Sequence, residues 1–445
     1  MPTIQPDRGD AATKAESGLS SSNDQDRRLL MLYVNIPFCR SKCVFCDYVQ
    51  PIPVADLLLT AQDSTRQRYI RALCEEIRVR GAEFKSKDRL PYVIYWGGGT
   101  ASILEHDEIK AVMQALQASF DLDQVAEATI ECSPDTIDPE KLELFRSFGF
   151  NRFSTGVQSF DDERLRTLGR RHTADEARRA VDWARAAGFE SVNIDIMCGF
   201  PDETLDEVRY TVSEALRVKP DHLSLYSFRP TPGTTMRSMI DRDNKDLYLA
   251  NQKISFNQGR KMIAEAGYSE YASGYFGRPS LFVVKYFQMT AELVGFGSGA
   301  MSLFDGHFRT HNKGKLEDYI AQPTNYDVDL PANADPVVIS SLRAGLSYFD
   351  GVLRDQWRDS TGTELDDVLA RPSVAPLIDY LRGRGLEEDK RGLRLPPDQV
   401  GNILIDLNFR LLGQMSAPAP VKIRNTQRPN HSIPDAVSHP LEIQS

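Results

Sequence analysis

Between residues 29 and 228, short runs of apolar and β-branched residues alternate with longer stretches in which apolar residues recur at helical spacing. The runs 29–38, 92–96, 128–132, 152–158, 191–198 and 222–228 predict strands, and the stretches 64–84, 105–120, 139–148, 161–187 and 205–218 predict helices. Asp, Thr or Ser opens several of these helices and Gly lies near their ends, which supplies the caps a helix terminus needs. Strands alternating with helices build a parallel sheet, and crossovers of one hand can curl it into an open barrel. The expected fold class is therefore α/β, a partial (β/α)6 barrel whose ligands gather at the carboxyl ends of the strands.

Near Leu247 the pattern changes to a helix around 251–267, a Gly- and aromatic-rich stretch running to Phe304, and a predominantly helical end. Helices are expected around 336–345, 363–370 and 374–384, then a turn and strand at Lys-Arg-Gly-Leu-Arg-Leu and a helix over 397–412. The organisation expected is a barrel over 28–246 with the cofactor sites, followed by a mainly α domain over 247–415 that covers the substrate and has a winged-helix-like end. Residues 1–27 and 416–445 lack periodicity and are expected as disordered tails without chemistry.

A length of 445 residues exceeds what one core usually serves, which fits two domains. Lys and Arg number 53 against 63 Asp and Glu, a net charge of -10. Neither a nucleic acid nor an anionic membrane is then an expected partner, and the winged-helix-like end reads as a packing lid. No apolar run approaches the roughly 20 residues of a membrane span, and residues 1–26 lack the apolar segment of a secretory signal. A cytoplasmic protein is expected, in a reducing compartment that preserves exposed thiolates.

Thiolates change the picture most. Cys39, Cys43 and Cys46 lie in Leu-Tyr-Val-Asn-Ile-Pro-Phe-Cys-Arg-Ser-Lys-Cys-Val-Phe-Cys-Asp-Tyr, a C-x3-C-x2-C loop with no fourth cysteine or histidine nearby. A structural zinc site normally closes with four protein ligands. An iron cube held by three thiolates keeps its fourth iron open to a chelator from outside the chain. Three packed thiols would not need so compact a spacing, and Cys74, Cys132 and Cys198, scattered through predicted helices and strands, read as structural.

The spacing and its setting resemble the radical S-adenosylmethionine (SAM) superfamily. That resemblance implies a 4Fe-4S cluster on Cys39, Cys43 and Cys46, metal ligands and catalytic residues at once, with the open iron chelated by the amino and carboxylate groups of SAM. Gly97-Gly98-Gly99-Thr100 follows the second predicted strand and offers exposed backbone at a carboxyl-end turn. Taken alone it is a tight strand-to-helix connection; by the resemblance it matches the segment whose backbone oxygens bind the SAM ammonium. Glu131 and Gln158 end the third and fourth strands, a carboxylate and an amide suited to an ammonium and ribose hydroxyls. Arg170 follows on the next helix, and Asp195 sits inside the fifth strand, where a charge is unfavourable unless paired or used. An ion pair between Asp195 and Arg170 is the structural alternative.

Tyr33 before the first cysteine, the cysteine loop, Gly-Gly-Gly-Thr, Glu131, Gly-Val-Gln-Ser-Phe and Asn-Ile-Asp-Ile together resemble the subfamily of oxygen-independent coproporphyrinogen III dehydrogenase, over roughly residues 30–415. The resemblance implies that Glu131, Gln158, Arg170 and Asp195 contact the cluster-bound SAM. It also implies that Tyr33 lies beside the cluster, as a proton relay or as a packed aromatic. Some members hold a second SAM partly through a Gly-rich segment, matched here by Val294-Gly295-Phe296-Gly297-Ser298-Gly299-Ala300, with Gly297 and Ala300 as contacts. A tight glycine turn under the second domain is the alternative.

Two departures narrow the branch. Members acting on coproporphyrinogen typically carry one more cysteine two places beyond the third, but here Cys46 is followed by Asp47-Tyr48. Related haem chaperones usually show His-Asn-x-x-Tyr-Trp, and this chain has Val283-Val284-Lys285-Tyr286-Phe287. His307 and His311 read as solvated loop side chains. The remaining branch resembles class C radical SAM methyltransferases and the cyclopropane-forming enzymes of natural-product pathways, antibiotic biosynthesis among them. It implies two SAM molecules, one cleaved to a 5'-deoxyadenosyl radical that takes hydrogen from the methyl group of the other. A methylene or methyl unit then passes to an sp2 carbon of an aromatic small molecule. Expected partners are that substrate, an external electron donor and a methyltransferase-like protein. An oxidase resembling coproporphyrinogen III dehydrogenase and a haem-binding chaperone are the alternatives. Tyr275, Phe276, Phe282, Tyr286 and Phe287 suit a flat heteroaromatic ring or, equally, an interdomain core.

Overall fold

The computed structural model describes residues 28–46, 64–84, 88–229, 234, 240, 245–311 and 316–414. The tails expected at 1–27 and 416–445 lie outside the described residues, as do Asp47 and Tyr48. The first part of the chain runs β1 (Arg28–Ile36), α1 (Thr65–Phe84), β2 (Arg89–Gly98), α2 (His106–Ser119), β3 (Glu127–Cys132), α3 (Pro139–Ser147), β4 (Arg152–Gln158), α4 (Asp162–Thr167), α5 (Ala174–Ala186), β5 (Ser191–Cys198), α6 (Leu205–Arg217) and β6 (His222–Ser227). These six strands pair in parallel and in chain order, as alternating strand and helix units dictate.

The two faces of this sheet differ. Leu32, Val34, Ile94, Ile130, Phe153 and Ile194 belong to one apolar core under the helices. The alternate positions carry polar or aromatic groups, among them Tyr33, Asn35, Tyr95, Glu131, Asp195 and Tyr226, which are half-buried or exposed on the inner face.

The single helix expected over 161–187 is two helices. Asp161 caps α4 by accepting from Arg164 N, Thr173 and Glu176 form a capping box at the start of α5, and Gly169 between them takes φ +76°, a left-handed turn that ends α4.

The chain continues through α7 (Lys245–Glu265), β7 (Glu270–Ala272), β8 (Tyr275–Gly277), α8 (Leu281–Gln288), β9 (Glu292–Phe296), β10 (Met301–Phe304), β11 (His307–Thr310), α9 (Leu316–Ala321) and β12 (Val328–Pro331). β9 lies parallel to β1, with Tyr33 opposite Gly295, and β10, β11 and β12 extend that edge antiparallel. β8 and β7 extend the β6 edge. The pattern change at Leu247 is thus no break in the sheet: strands too short to show a period add to both edges. α8 links β8 to β9 in front of the inner face, with the Phe282 ring 4.4 Å from Tyr95 and 6.1 Å from Tyr33.

Helices prevail from α10 (Asp335–Gly345) onward, through β13 (Val352–Leu353), α11 (Arg354–Thr361), α12 (Leu365–Leu369), α13 (Ala375–Arg382), β14 (Glu387–Glu388), β15 (Gly392–Arg394) and α14 (Val400–Gln414). They share a separate core around Trp357, Leu365, Ile378 and Leu393, beside the small antiparallel sheet β13-β15-β14. No helix among the described residues is long and apolar enough to cross a membrane.

Candidate active site

The loop after β1 carries Cys39, Cys43 and Cys46, all half-buried at the carboxyl end of the sheet. Two bonds dock it on the interrupted helix: Val44 N donates to Leu168 O (3.2 Å) and Ser41 Oγ to Gly169 O (3.1 Å). Gly169 is needed here twice over, for its left-handed φ and because a Cβ would lie 3.2 Å from Lys42 O. Inside the loop Cys46 N donates to Cys43 O (3.2 Å), and Cys39 Sγ lies 3.1 Å from Thr100 Oγ1. Burial above all pushes the Cys39 thiol up to about 12, with Cys46 and Cys43 adding to it and Thr100 and Arg170 opposing. A thiolate at Cys39 therefore needs a cationic centre to stay deprotonated, which bound iron would provide. Among the described residues no three His, Cys, Asp or Glu side chains close around a single ion. A cube, whose ligated corners are separate iron atoms, spreads its thiolates further apart than one ion does. Cys74, Cys132 and Cys198 lie in the apolar core under the helices.

Arg170 reaches inward from the helix break. Its Nη2 donates to Gly156 O (2.5 Å) and Ser133 Oγ (3.2 Å), and its Nη1 lies 3.6 Å from Cys43 Sγ. Among the described residues it forms no ion pair with Asp195, whose carboxylate instead accepts from Asn193 Nδ2 (2.8 Å) and is raised above the usual range by burial. Gln158 follows a bulge in the β4–β5 register and adopts φ 69°; its Oε1 is buried without a hydrogen-bond partner, and so is Arg170 Nε. A non-glycine residue held left-handed and two orphaned buried polar atoms are features of a ligand site rather than of a sheet. They fit a polar ligand, such as SAM, lying over the strand ends.

Glu131 faces the Gly-rich turn after β2. Its carboxylate accepts from Tyr95 OH and from Gly98 N (3.2 Å). A Cβ on Gly98, at φ +106°, would run into Asn35 Oδ1, and one on Gly99 would lie 2.6 Å from Phe38 O, so the turn passes under the cysteine loop only as glycine. Burial raises the Glu131 carboxyl to about 7. Folding then favours the protonated acid, a stabilisation that is full below its ordinary value of 4.5 and lost as pH rises through about 7. Without ligand, Glu131→Gln is expected to match wild type in thermal denaturation at about pH 5 and to melt higher at about pH 8. A wild type that gains on the variant over that range would contradict a protonated Glu131.

The Gly-rich turn after β9 is clamped to α1. Gly297 N donates to Glu76 Oε2 (2.8 Å), Ser298 N to Tyr69 OH (3.2 Å), and Asn35 Nδ2 to Ser298 O, while Ala300 is buried. His311, expected in solvent, is buried with Nε2 2.7 Å from Glu76 Oε1. Its partner lies 235 residues away, which no local pattern reveals. His307 stays near the surface, 2.7 Å from Asp329. The Tyr33 hydroxyl donates to Asn35 Oδ1 (3.3 Å), and its ring stacks at 5.9 Å on Tyr95.

The sequence family described as "Radical SAM superfamily" matches residues 33–215. The heme chaperone HemW of Escherichia coli is 31% identical over 371 residues, covering 79% of this chain and 93% of the relative. The chain belongs to the radical SAM superfamily. Within it, this radical SAM protein groups with HemW and with oxygen-independent coproporphyrinogen III oxidase, whose Salmonella typhimurium member is 32% identical over 311 residues, or 66% of this chain and 65% of that one. The match to the Haemophilus influenzae HemW likewise spans just under two thirds of that relative, 63%. The solved coproporphyrinogen III oxidase of Escherichia coli has the same fold, with a TM-score of 0.66 at 24% identity over 87% of this chain and 90% of that one. Members of the superfamily use a 4Fe-4S cluster with SAM, as the three-cysteine loop and the polar strand ends anticipate, and they require an electron donor. The relatives named here are a chaperone and an oxidase, not methyl-transferring enzymes.

Sequence reading passed over a polar chain on the inner face. Asn193 Nδ2 donates to both Ser154 Oγ and Asp195 Oδ1 (2.8 Å each), so Asn193 Oδ1 is the acceptor for His222 Nδ1 (2.5 Å), and the Tyr271 hydroxyl donates to His222 Nε2 (2.9 Å). Burial pushes the His222 pKa well below its ordinary value, which keeps the ring neutral in this tautomer. The signal was present as alternation, Asn193-x-Asp195 and His222-x-Ser224, polar every second residue in otherwise apolar strands.

Proposed function

We propose that the protein is an enzyme that binds SAM over the carboxyl ends of β2 to β5 and uses it to abstract hydrogen from a flat conjugated substrate held against α8. The observation that carries this reading is the pair of orphaned atoms, Gln158 Oε1 and Arg170 Nε, beside a cysteine loop and an aromatic wall. When bound and reduced, the cluster supplies the electron that splits SAM into methionine and a 5'-deoxyadenosyl radical. In this reading Cys39, Cys43 and Cys46 hold the cluster, and Thr100 orients the Cys39 sulfur. Glu131 and the turn Gly97-Gly98-Gly99 take the SAM ammonium, and Gln158 and Asp195 take its hydroxyls. Arg170, anchored on Gly156 O, offers its free Nε edge to the ligand's acceptors. Tyr33, Tyr95 and Phe282 exclude water from the radical.

The oxidase relatives support hydrogen abstraction, and the HemW relatives support haem handling on the same scaffold. Against the chaperone stands α8, whose sequence Leu-Phe-Val-Val-Lys-Tyr-Phe-Gln contains no histidine. That loss, with Asp47-Tyr48 after the third cysteine, favours a second reading: transfer of a methyl or methylene unit from a second SAM to an sp2 carbon, with cyclopropane closure as one outcome. Gly297 and Ala300 are the contacts proposed for that second molecule.

The test is anaerobic incubation of the cluster-reconstituted, dithionite-reduced protein with methyl-deuterated SAM, followed by mass spectrometry of the nucleosides. Unlabelled 5'-deoxyadenosine is the expected product. Deuterium in 5'-deoxyadenosine together with S-adenosylhomocysteine would replace the first reading by the second. No nucleoside at all would overturn both in favour of haem handling.

A further inference from the structure

We propose that His222 and Asn193 are positioning residues for SAM, which hold the Asp195 carboxylate in the orientation that presents it to the ligand's hydroxyls. The inference rests on the role proposed above for Asp195 and deepens it. The parallel register brings these side chains together. Asn193 lies opposite Ser154 of β4 on one side and His222 of β6 on the other, and Asp195 follows two residues later on the same face of β5. Asn193 and His222 are buried, while Asp195 is half-buried at the end nearer the cysteine loop.

The hydrogen bonds between them run one way. Ser280 N donates to the Tyr271 hydroxyl (3.3 Å), whose own proton goes to His222 Nε2 (2.9 Å). His222 then carries its proton on Nδ1 and donates to Asn193 Oδ1 (2.5 Å), which turns Asn193 Nδ2 toward Asp195 Oδ1 (2.8 Å). Burial favours the neutral ring that this arrangement needs. Ser224 Oγ also donates to Asn193 Oδ1, but over 3.2 Å and from a hydroxyl that rotates, so the imidazole is the fixed partner. An amide turned over would set its oxygen against the carboxylate, and His222 opposes that flip. A carboxylate turns easily about its last side-chain bond. With Oδ1 tied to Asn193, the other oxygen keeps one direction for an incoming hydroxyl. Bonds aligned in a buried chain also strengthen one another, so an effect at His222 reaches Asp195 through Asn193.

The experiment is anaerobic calorimetric titration of the cluster-loaded full chain with SAM and with its 2',3'-dideoxyribose analogue. Wild type is expected to prefer SAM by at least about tenfold, the size of a hydrogen bond to a charged group. His222→Leu should lose at least about threefold of that preference, as Asp195→Ala does, and the double variant should lose no more than Asp195→Ala alone. Two conservative variants separate positioning from packing. His222→Asn puts an amide nitrogen where Nδ1 stood and should restore the preference, whereas His222→Gln matches Nε2 and should not. Tyr271→Phe, which removes one oxygen, should lose part of the preference and replaces His222→Leu if that variant does not fold. A preference unchanged in His222→Leu and Tyr271→Phe, equal behaviour of His222→Asn and His222→Gln, or a wild type without any preference would each overturn the assignment. A wild type that shows the preference but forms no 5'-deoxyadenosine after dithionite reduction would sink the proposed hydrogen abstraction and leave the positioning to be judged by the affinities.

Discussion

Replacing Cys43 by alanine is expected to abolish both iron retention and 5'-deoxyadenosine formation while leaving the fold intact. The side chain itself contributes little to folding, because it is half-buried and, among the described residues, its side-chain hydrogen-bond partner is the Arg170 guanidinium at 3.6 Å. The loop is held instead by backbone bonds, Val44 N to Leu168 O and Cys46 N to Cys43 O, which an alanine preserves. Loss of one thiolate leaves two ligands for a cube that the chain holds by three. Cys198→Ala is the matching control, since that thiol is buried in the apolar core and burial pushes its pKa well above the ordinary value, which keeps it inert. Iron content, visible absorbance and nucleoside analysis distinguish the outcomes. Full iron and full 5'-deoxyadenosine in Cys43→Ala would show that the loop is not the cluster site.

What the sequence made legible was whatever chemistry or period is local. The cysteine loop, the Gly-Gly-Gly-Thr turn and the six parallel strands follow from residues close in the chain, and the structure has all of them near their expected bounds. Three things were hidden for physical reasons. The break in the expected 161–187 helix depends on one left-handed glycine, Gly169, that periodicity does not register. β9, five residues long, joins the sheet beside β1 because of long-range pairing, which a local pattern cannot encode. The inner-face chain from Asp195 through Asn193 and His222 to Tyr271 crosses β5, β6 and β7, so only the alternation of polar residues hinted at it. Asp195 illustrates the difference: a charge in an apolar strand flagged it, while its bond to Asn193, in place of the alternative ion pair with Arg170, needed the folded chain.

Glu76→Ala is expected to destabilise the protein by about 3 to 5 kcal/mol, the range for removing one member of a buried ionic cluster. Glu76 is fully buried, and four donors converge on its carboxylate: Arg80 Nε (3.0 Å), His311 Nε2 (2.7 Å), Tyr319 OH (2.8 Å) and Gly297 N (2.8 Å). Truncation leaves all four without this acceptor in a region water does not reach, and the loss of desolvated partners, more than of the pair itself, sets the size of the effect. Glu76→Gln keeps one carbonyl acceptor and should recover part of the loss. The consequence extends to the site, because the same clamp holds the turn after β9, and Tyr69, which donates to Asn35 O (2.6 Å) and accepts from Ser298 N, ties that turn to the end of β1 beside Tyr33. Folded Glu76→Ala at low temperature should therefore form 5'-deoxyadenosine more slowly than wild type even where denaturation is negligible. Urea unfolding followed by circular dichroism gives the first quantity and single-turnover nucleoside formation the second. A stability change below about 1 kcal/mol would mean that Arg80, His311, Tyr319 and Gly297 find other partners, and that α1, β9 and β11 are held together by their apolar contacts instead.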